Sequence, residues 1–533
     1  MSVGRSYKRT TVDQEWDSIV IGSGIGGLTS AAMLARAGQK VLVLERHTTA
    51  GGATQTFRRA GYEWDAGLHY VGQVHNSRTS LSRIFDHISD GQLEWAQMPD
   101  VYNTVVVDGR SYDYPSGVDE FTARMKQYFP DEAGAIDRYV ELVMQVNRSA
   151  RGYFAHRALP IDIGNSMYTD LCEPFREYAD RSVTDVLTEL TGNAELRTVL
   201  CGHFGDYSLP PGDASFGVHA MLIRHYIGGA SFPVGGSGRL AETIVPVIEA
   251  AGGAVLISAE VESVSLDGSG AACGVEMTDG RRFLAPAVIS DAGVVPTLTR
   301  LIPEHAVDHE LLESLRDVGP SLPWVVLNLG VAEPDQALGL PRGNFWIHGS
   351  SDIDGSISEF QTHPSDRSMP LYFLTFPSAK DPSWSARHPD RATIDIAGVT
   401  SWELWKPFLN TQWMNRSEEY DLLKDRLKSE LLAQVYRFCP QLRGKIDHAE
   451  MATPLSFNHF LGREFGDFMS LAPSPERYAV QGLRAHSSIP NLFFGGQDVS
   501  ASGVVGAVQG GVIAASAVLG RNVLDDLAHT TTT

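Results

Sequence analysis

Asp17-Ser18-Ile19-Val20-Ile21-Gly22-Ser23-Gly24-Ile25-Gly26-Gly27, continuing through Leu28 to Ala37, Gly38 and Val41-Leu42-Val43-Leu44-Glu45, is the stretch that decides the fold. The run Ile19-Val20-Ile21 is strand-sized, the glycines turn the chain tightly, Leu28 to Ala37 predicts a helix that Gly38 stops, and Val41 to Leu44 predicts a second strand. Two strands joined through a helix are parallel neighbours. In such a unit Gly22 permits the turn and Gly24 lets backbone N–H groups approach a pyrophosphate at the positive end of the helix. Ile25 and Gly26 share that first turn, and Gly27 lets the helix pack against the sheet. Glu45 lies 23 positions beyond Gly22, at the end of the second strand, where a carboxylate takes the hydroxyls of an adenosine ribose; Arg46 follows it. A glycine-rich turn without a ligand explains neither Glu45 nor the spacing. NAD and FAD both use this fingerprint.

Outward from that unit the texture changes twice. Residues 76–230 look mostly helical, with a hairpin at Val105 to Tyr112 and a helix cap at Ser182. Short strands return at Ala254–Ile257, Val261–Leu266, Gly274–Met277 and Ala287–Ser290. Residues 305–475 mix strands such as Trp324 to Leu329 with a long helix from Ser417, and the chain closes with strand Leu492–Phe494 and a small-residue helix from Gly503 to Leu519. That helix is too short and too rich in small residues for a membrane span and is expected to be buried. The expected organisation is a nucleotide-binding domain from 16–75, 235–300 and 480–525, a substrate domain from 76–234 and 305–475, and a polar N-terminal tail over 1–15.

Bulk properties narrow the function. At 533 residues the chain exceeds one hydrophobic core, and its formal net charge of -21 is a poor match for nucleic acid, which needs clustered lysine and arginine. The four cysteines, Cys172, Cys201, Cys273 and Cys439, are spaced too widely for a zinc knuckle or a dense disulfide framework, so no metal site is expected and a reducing compartment fits best. The first seventeen residues carry no apolar run of signal-peptide length, and a cytoplasmic location is expected.

Gly51-Gly52-Ala53-Thr54 resembles the second glycine pair of flavoproteins of the amine oxidase and phytoene desaturase type. Gly495-Gly496-Gln497-Asp498 with Gly503-Val504-Val505-Gly506 looks like their closing flavin motif. Trp64-Asp65-Ala66-Gly67-Leu68-His69-Tyr70, Gly205-Asp206-Tyr207, Ser215 to His219, His225-Tyr226 and Phe232 to Arg239 narrow the resemblance to the retinol saturases and related carotenoid isomerases, over about residues 16–520. The resemblance implies an α/β fold in which a Rossmann-like FAD-binding domain is interwoven with an α+β substrate domain, the architecture of amine oxidases and GDP-dissociation inhibitors. It also implies FAD as cofactor. Asp498 would accept from a ribityl hydroxyl, the helix from Gly503 would aim its N–H groups at the flavin's pyrimidine edge, and Val261 would face adenine.

The chemistry implied is reduction of a carbon–carbon double bond in a long apolar polyene, by hydride from reduced flavin plus a proton. A redox-neutral polyene isomerase, a desaturase and a non-catalytic prenyl-lipid escort share the fold and remain open, as does the electron donor or acceptor. An apolar substrate needs a greasy tunnel, for which Trp324, Phe345, Trp346, Tyr372, Phe373, Phe376, Trp402 and Trp405 are candidates. Loading such a substrate leads us to expect weak, reversible membrane-surface contact. Candidate proton donors are His69 first, then Tyr70, Tyr207, His203, His219 and His225. The flavin-like segments hold no cysteine to bond the flavin covalently, so denaturation is expected to release free FAD into the supernatant. Yellow colour remaining with the precipitate would refute that.

Overall fold

In a computed structural model, described over residues 2–529, the opening motif folds as read: strand Ser18–Ile21, helix Ile25–Arg36, strand Val41–Glu45. Six parallel strands make the nucleotide-binding sheet, in the order Arg5–Ser6, Ala254–Ile257, Val41–Glu45, Ser18–Ile21, Val288–Ser290, Leu492–Phe494. Ile19 lies opposite Leu42, and Ile21 opposite Leu44. The inner strands are apolar without alternation and buried along their length, because a parallel sheet is covered on both faces.

The segment read as an N-terminal tail is a correction to the sequence reading. Arg5–Ser6 extends the sheet at its edge by pairing with Leu256 and Ile257. Tyr7 is buried, its hydroxyl donates to Asp279 Oδ1 at 2.8 Å, and the Arg281 guanidinium lies over its ring. Polarity hid these residues because two strand residues and one anchoring ring leave no periodic pattern.

A second, seven-stranded sheet runs in the order Ile446–Ala452, Trp324–Val331, Ala392–Val399, Leu371–Thr375, Asn344–His348, Val101–Val107, Arg110–Pro115. Only the pairing of Asn344–His348 with Val101–Val107 is parallel within it. The hairpin read at 105–112 turns at Asp108 and Gly109, both with positive φ, as a tight two-residue turn demands. Strand alternation gives this sheet two faces. Val325, Leu327, Ile347, Tyr372 and Leu374 enter a core beneath helix Glu418–Phe438, whereas Trp324, Trp346, Phe373 and Ala397 belong to the main core shared with the other half.

The chain crosses between the halves more often than the sequence suggests. Hairpin Thr56–Arg59/Tyr62–Asp65 reaches the seven-stranded sheet: Trp64 Nε1 donates to the Leu329 carbonyl at 3.2 Å, and the Tyr62 ring lies against Gly330. Helix Ser80–Ser89 packs instead on helices Arg239–Ala250 and Ile25–Arg36. Among the described residues no helix is long and apolar enough to cross a membrane.

Helix Gly503–Leu519 owes its small residues to close packing on helix Ile25–Arg36. A Cβ on Gly511 would stand 2.4 Å from the Gly26 carbonyl oxygen, and one on Gly510 would stand 1.9 Å from that of Gly496. Both neighbours are backbone, so Gly511→Ala is expected to destabilise by about 1–3 kcal/mol through overpacking. Gly134→Ala, in the helix Ala133–Arg157 where a Cβ meets nothing within 4 Å, is expected to stabilise by about 0.5–1 kcal/mol. Apparent Tm values of opposite sign check the pair.

Candidate functional site

The strand ends of the nucleotide-binding sheet open on a cavity of about 590 Å³ that continues under the aromatic face of the second sheet. Gly22, Gly24, Ile25 and Gly26 line its beginning. Gly22 has φ +99°, which places its carbonyl under the helix, and a Cβ on Gly27 would lie 2.3 Å from that oxygen. Gly27 therefore stands behind the wall as the packing contact between turn and helix. Glu45 and Arg46 line the next stretch. The Glu45 carboxylate is held by the turn itself, Oε2 accepting from Ser23 N at 2.9 Å and Ser23 Oγ at 2.7 Å, Oε1 from His47 N at 2.7 Å.

Gly52, Ala53 and Thr54 line the cavity from the second glycine pair, and Val261 from the start of strand Val261–Leu266. Gly51 does not: its φ of 120° and its bridge to Gly24 place it beneath them. Gly496, Asp498, Gly503, Val504 and Val505 close the far wall. Gly506 lies outside it, packed so tightly that a Cβ would meet the Ala501 carbonyl at 1.6 Å. Asp498 Oδ2 accepts from Val294 N at 2.9 Å, while Oδ1 is buried without a partner. A buried orphan carboxylate oxygen costs free energy unless a hydroxyl reaches it.

Two charged residues that sequence reading missed sit in the same half. Asp291 follows strand Val288–Ser290 and lays its carboxylate against the glycine turn: a Cβ on Gly24 would stand 2.8 Å from Oδ2, and one on Gly26 2.6 Å from Oδ1. Burial pushes Asp291 up to about 7, against the Gly27 N–H and the charge of Arg463. Arg463 lines the cavity, donates from Nη1 to Ser470 Oγ at 2.7 Å and leaves Nε buried and unpartnered. Asp291 was findable as a carboxylate at the mouth of a parallel strand; Arg463, in an irregular segment, carried no such signal.

In the other half, Trp324, Trp346 and Phe373 line the cavity. Phe345, Tyr372 and Phe376 alternate to the opposite face or lie beyond it, and Trp402 and Trp405 pack in or against the second core, so five of the eight candidate tunnel aromatics belong to or pack on that core and do not line the cavity. Of the proton-donor candidates, His69, Tyr70 and His225 reach the cavity; Tyr207, His203 and His219 do not. Tyr207 is buried, with its hydroxyl 3.4 Å from His219 Nδ1, whose other ring nitrogen meets Tyr139 Oη at 2.8 Å.

His69 is packed 5.3 Å from the Phe373 ring, its Nδ1 buried without a partner. Burial, then the nearby Lys380 ammonium, pushes it down to about 3, so at neutral pH it is an uncharged imidazole with no imidazolium proton to give. His225 is also pushed down to about 3 by burial, and its Nε2 accepts from Gly72 N at 2.8 Å. The groups the sequence passed over are Asp206, named within a family-like segment but given no role, and Lys380. Burial pushes Asp206 up to about 7, and Lys380 down to about 7 against the pull of Asp395, Asp65 and Asp206. Lys380 Nζ donates to the His69 carbonyl at 2.9 Å and to Thr375 Oγ1.

A glycine-lined anion cradle joined to an apolar, aromatic chamber is the site of a flavoprotein oxidoreductase, and the comparisons with known proteins agree. The family model for flavin containing amine oxidoreductase matches residues 25–519, so the chain belongs to that family. Its cofactor is FAD. Within the family it falls in the retinol saturase and carotenoid isomerase branch. It is 34% identical to the human all-trans-retinol 13,14-reductase over 98% of this chain and 89% of that one, and 24% identical to prolycopene isomerase 1 of an Oncidium hybrid cultivar over 87% and 76%. A putrescine oxidase structure matches with TM-score 0.62 at 15% identity, covering 95% of this chain and 99% of that one, which speaks for the fold.

The residues fit the cofactor. Gly24, Ile25 and Gly26 line the cavity at the helix N-terminus, where backbone N–H groups suit a pyrophosphate beside Asp291, Arg463 lines the same cavity, and Asp498 Oδ1 lacks the partner that a ribityl hydroxyl would be. Glu45→Ala and Asp498→Ala each remove a carboxylate acceptor worth about 1.5–3 kcal/mol. Each is expected to weaken FAD binding, by up to about a hundredfold. Dissociation constants from flavin fluorescence check this, and unchanged values in both variants would remove the assignments.

Proposed function

We propose that the protein is an FAD-dependent reductase of a carbon–carbon double bond in a long apolar polyene, a retinoid being the first substrate class to test. The observation that carries it is the chamber beyond the cofactor cradle, where Trp324, Trp346 and Phe373 offer apolar surface and Asp206 and Tyr70 offer protons. The full-length likeness to all-trans-retinol 13,14-reductases supports this reading over isomerase and escort functions. When bound and reduced, FAD supplies a hydride. The chain's residues exclude water, hold the polyene by contact area and deliver the proton. Anaerobically reduced holoenzyme is expected to be reoxidised by all-trans-retinol with formation of a product lacking one double bond, seen by chromatography. Reoxidation without loss of a double bond, or isomerised product only, would overturn the proposal.

We also propose that the substrate enters from a membrane surface. Helix Pro454–Leu461 turns Phe457, Phe460 and Leu461 into the cavity. Outside it lie exposed apolar residues: Trp413 stacks on His459 at 4.8 Å and meets Phe460 at 5.7 Å, Met414 is 82% exposed, and Leu409 and Phe465 are exposed nearby in sequence. An apolar cargo crossing water gains nothing, so a greasy rim next to a greasy chamber suits reversible contact with lipid. The net charge of -21 makes that contact apolar in origin, and four unpaired cysteines support a cytoplasmic setting for it. Cosedimentation with phosphatidylcholine vesicles is expected to be weak, insensitive to salt, and reduced several-fold in Trp413→Ala/Met414→Ser. Binding unaffected by the double substitution would place the contact elsewhere.

A further inference from the structure

We propose that Tyr70 is the group that protonates the substrate carbon and that Asp206 resupplies its proton, the two forming a relay at the wall of the aromatic chamber. The inference rests on the reductase reading above. Tyr70 and Asp206 come from different parts of the chain, the segment following the second glycine pair and the turn Phe204–Asp206, and both line the cavity. The Tyr70 hydroxyl donates to Asp206 Oδ2 and receives the Asn103 side-chain amide at 3.3 Å. Its ring is clamped by stacking on Tyr226 at 4.3 Å and on Phe373 at 6.1 Å. The Asp206 side chain keeps 17% of its surface accessible, so the carboxyl is in reach of the chamber.

The neighbouring groups are otherwise committed. The Tyr226 hydroxyl donates to the Tyr70 carbonyl at 3.3 Å, His225 Nε2 is taken by the Gly72 N–H, and His69 is neutral. Facing Asp206 are Tyr70, whose hydrogen bond favours its charge; Lys380, which also favours it; Tyr226 and Tyr102, whose own ionisation the carboxylate opposes; and His203, whose Nδ1 lies 3.7 Å away and which burial keeps neutral. Burial outweighs the Tyr70 hydrogen bond and the lysine together, so Asp206 carries a proton for much of the time at neutral pH. Tyr70 is raised well above its ordinary range, so a free tyrosinate is costly and the hydroxyl gives up its proton only as another arrives.

The step balances. One carbon of the double bond takes the hydride, the π pair forms a C–H bond at the other carbon with the Tyr70 proton, and the Tyr70 O–H bond breaks. With Asp206 protonated, the hydrogen bond between the two runs from the carboxyl to the Tyr70 oxygen and frees the Tyr70 O–H for the substrate; the Asp206 proton then moves to the Tyr70 oxygen, and the carboxylate left behind is reprotonated from water once product leaves. Lys380 is a positioning residue here: Nζ anchors the His69 carbonyl next to Tyr70 in sequence and sets how readily Asp206 holds its proton.

The test uses single-turnover reoxidation of reduced holoenzyme by all-trans-retinol, with FAD content measured for every variant. The wild-type rate is expected to fall as pH rises through about 7, because the protonated carboxyl is the competent form. Tyr70→Phe, which keeps the stacked ring, is expected to bind FAD normally and slow the step by about a hundredfold or more. Asp206→Asn is expected to be slow and to lose the pH-dependent limb. Without any substrate, an infrared difference between wild type and Asp206→Asn should show one protonated-carboxyl band that disappears from about pH 6 to pH 8. Tyr70→Phe at near-wild-type rate, the same pH limb in Asp206→Asn, or no such band would overturn the relay while leaving the reductase reading intact. A wild-type reduced flavin that no polyene reoxidises would overturn the reductase reading, and the relay with it.

Discussion

Backbone pressed against backbone holds the cofactor end of this molecule together. The Gly27 backbone sits on the Gly22 carbonyl, Gly26 on Gly496, Gly511 on Gly26 and Gly510 on the Gly496 carbonyl, in each case closer than a Cβ would allow. One contact brings the first helix onto its turn, the next brings the closing loop onto that helix, and the last two lay the final helix over both. Asp498 and the N-terminus at Gly503 are where they are because the loop between them cannot move without forcing these contacts apart. Packing at this density transmits position over a long chain distance, from residue 22 to residue 511, through very few atoms.

Beyond the cradle the physics changes from contact to charge. Asp65, Asp206, Asp395 and Lys380 are buried among aromatic and aliphatic side chains, and each is displaced toward its neutral form by lack of water. Asp65 is stabilised by Ser237, whose N–H and hydroxyl both donate at 2.7 Å, and Asp395 by the Asn328 amide at 2.8 Å. Asp206 accepts instead from the Tyr70 phenol, the most acidic of these donors. The three aspartates thus differ by their donors, and the one facing the chamber is the one whose partner can itself pass on a proton.

The nucleotide-binding half was legible because its signals are local: a glycine turn between a strand and a helix, an acid at the next strand end, a second glycine pair, and a strand before a small-residue helix. Glu45 follows from its spacing after the glycine turn and Asp498 from the resemblance of its segment to a closing flavin motif, and both line the cavity. The chamber was less legible. Trp346 and Phe373 face the cavity while Phe345 and Tyr372 do not, a distinction set by the register of strands far apart in sequence. The emphasis on His69 has the same origin, since its proton affinity is lowered first by burial among segments distant in sequence and then by a lysine 311 positions away that donates to its carbonyl. Tyr207 was grouped with its neighbour Asp206, yet one turn of irregular helix sends the aspartate inward to the cavity and the tyrosine to the packed layer behind. The edge strand at Arg5–Ser6 escaped notice because only its partner, Ala254–Ile257, makes it a strand.

The order of strands in the six-stranded sheet bears on how the protein is made. Its outer members are residues 5–6 at one edge and 492–494 at the other, and the four inner strands come from residues 18–21, 41–45, 254–257 and 288–290. A ribosome extending the chain from its N-terminus has delivered more than nine-tenths of it before the last strand exists. Until then Val288–Ser290 is an open parallel edge and the first helix lacks its glycine-bearing partner, a condition that exposes apolar strand to other chains. Sheets closed by distant segments also form slowly. Closure of the sheet is therefore a late event in synthesis, waiting on residue 494.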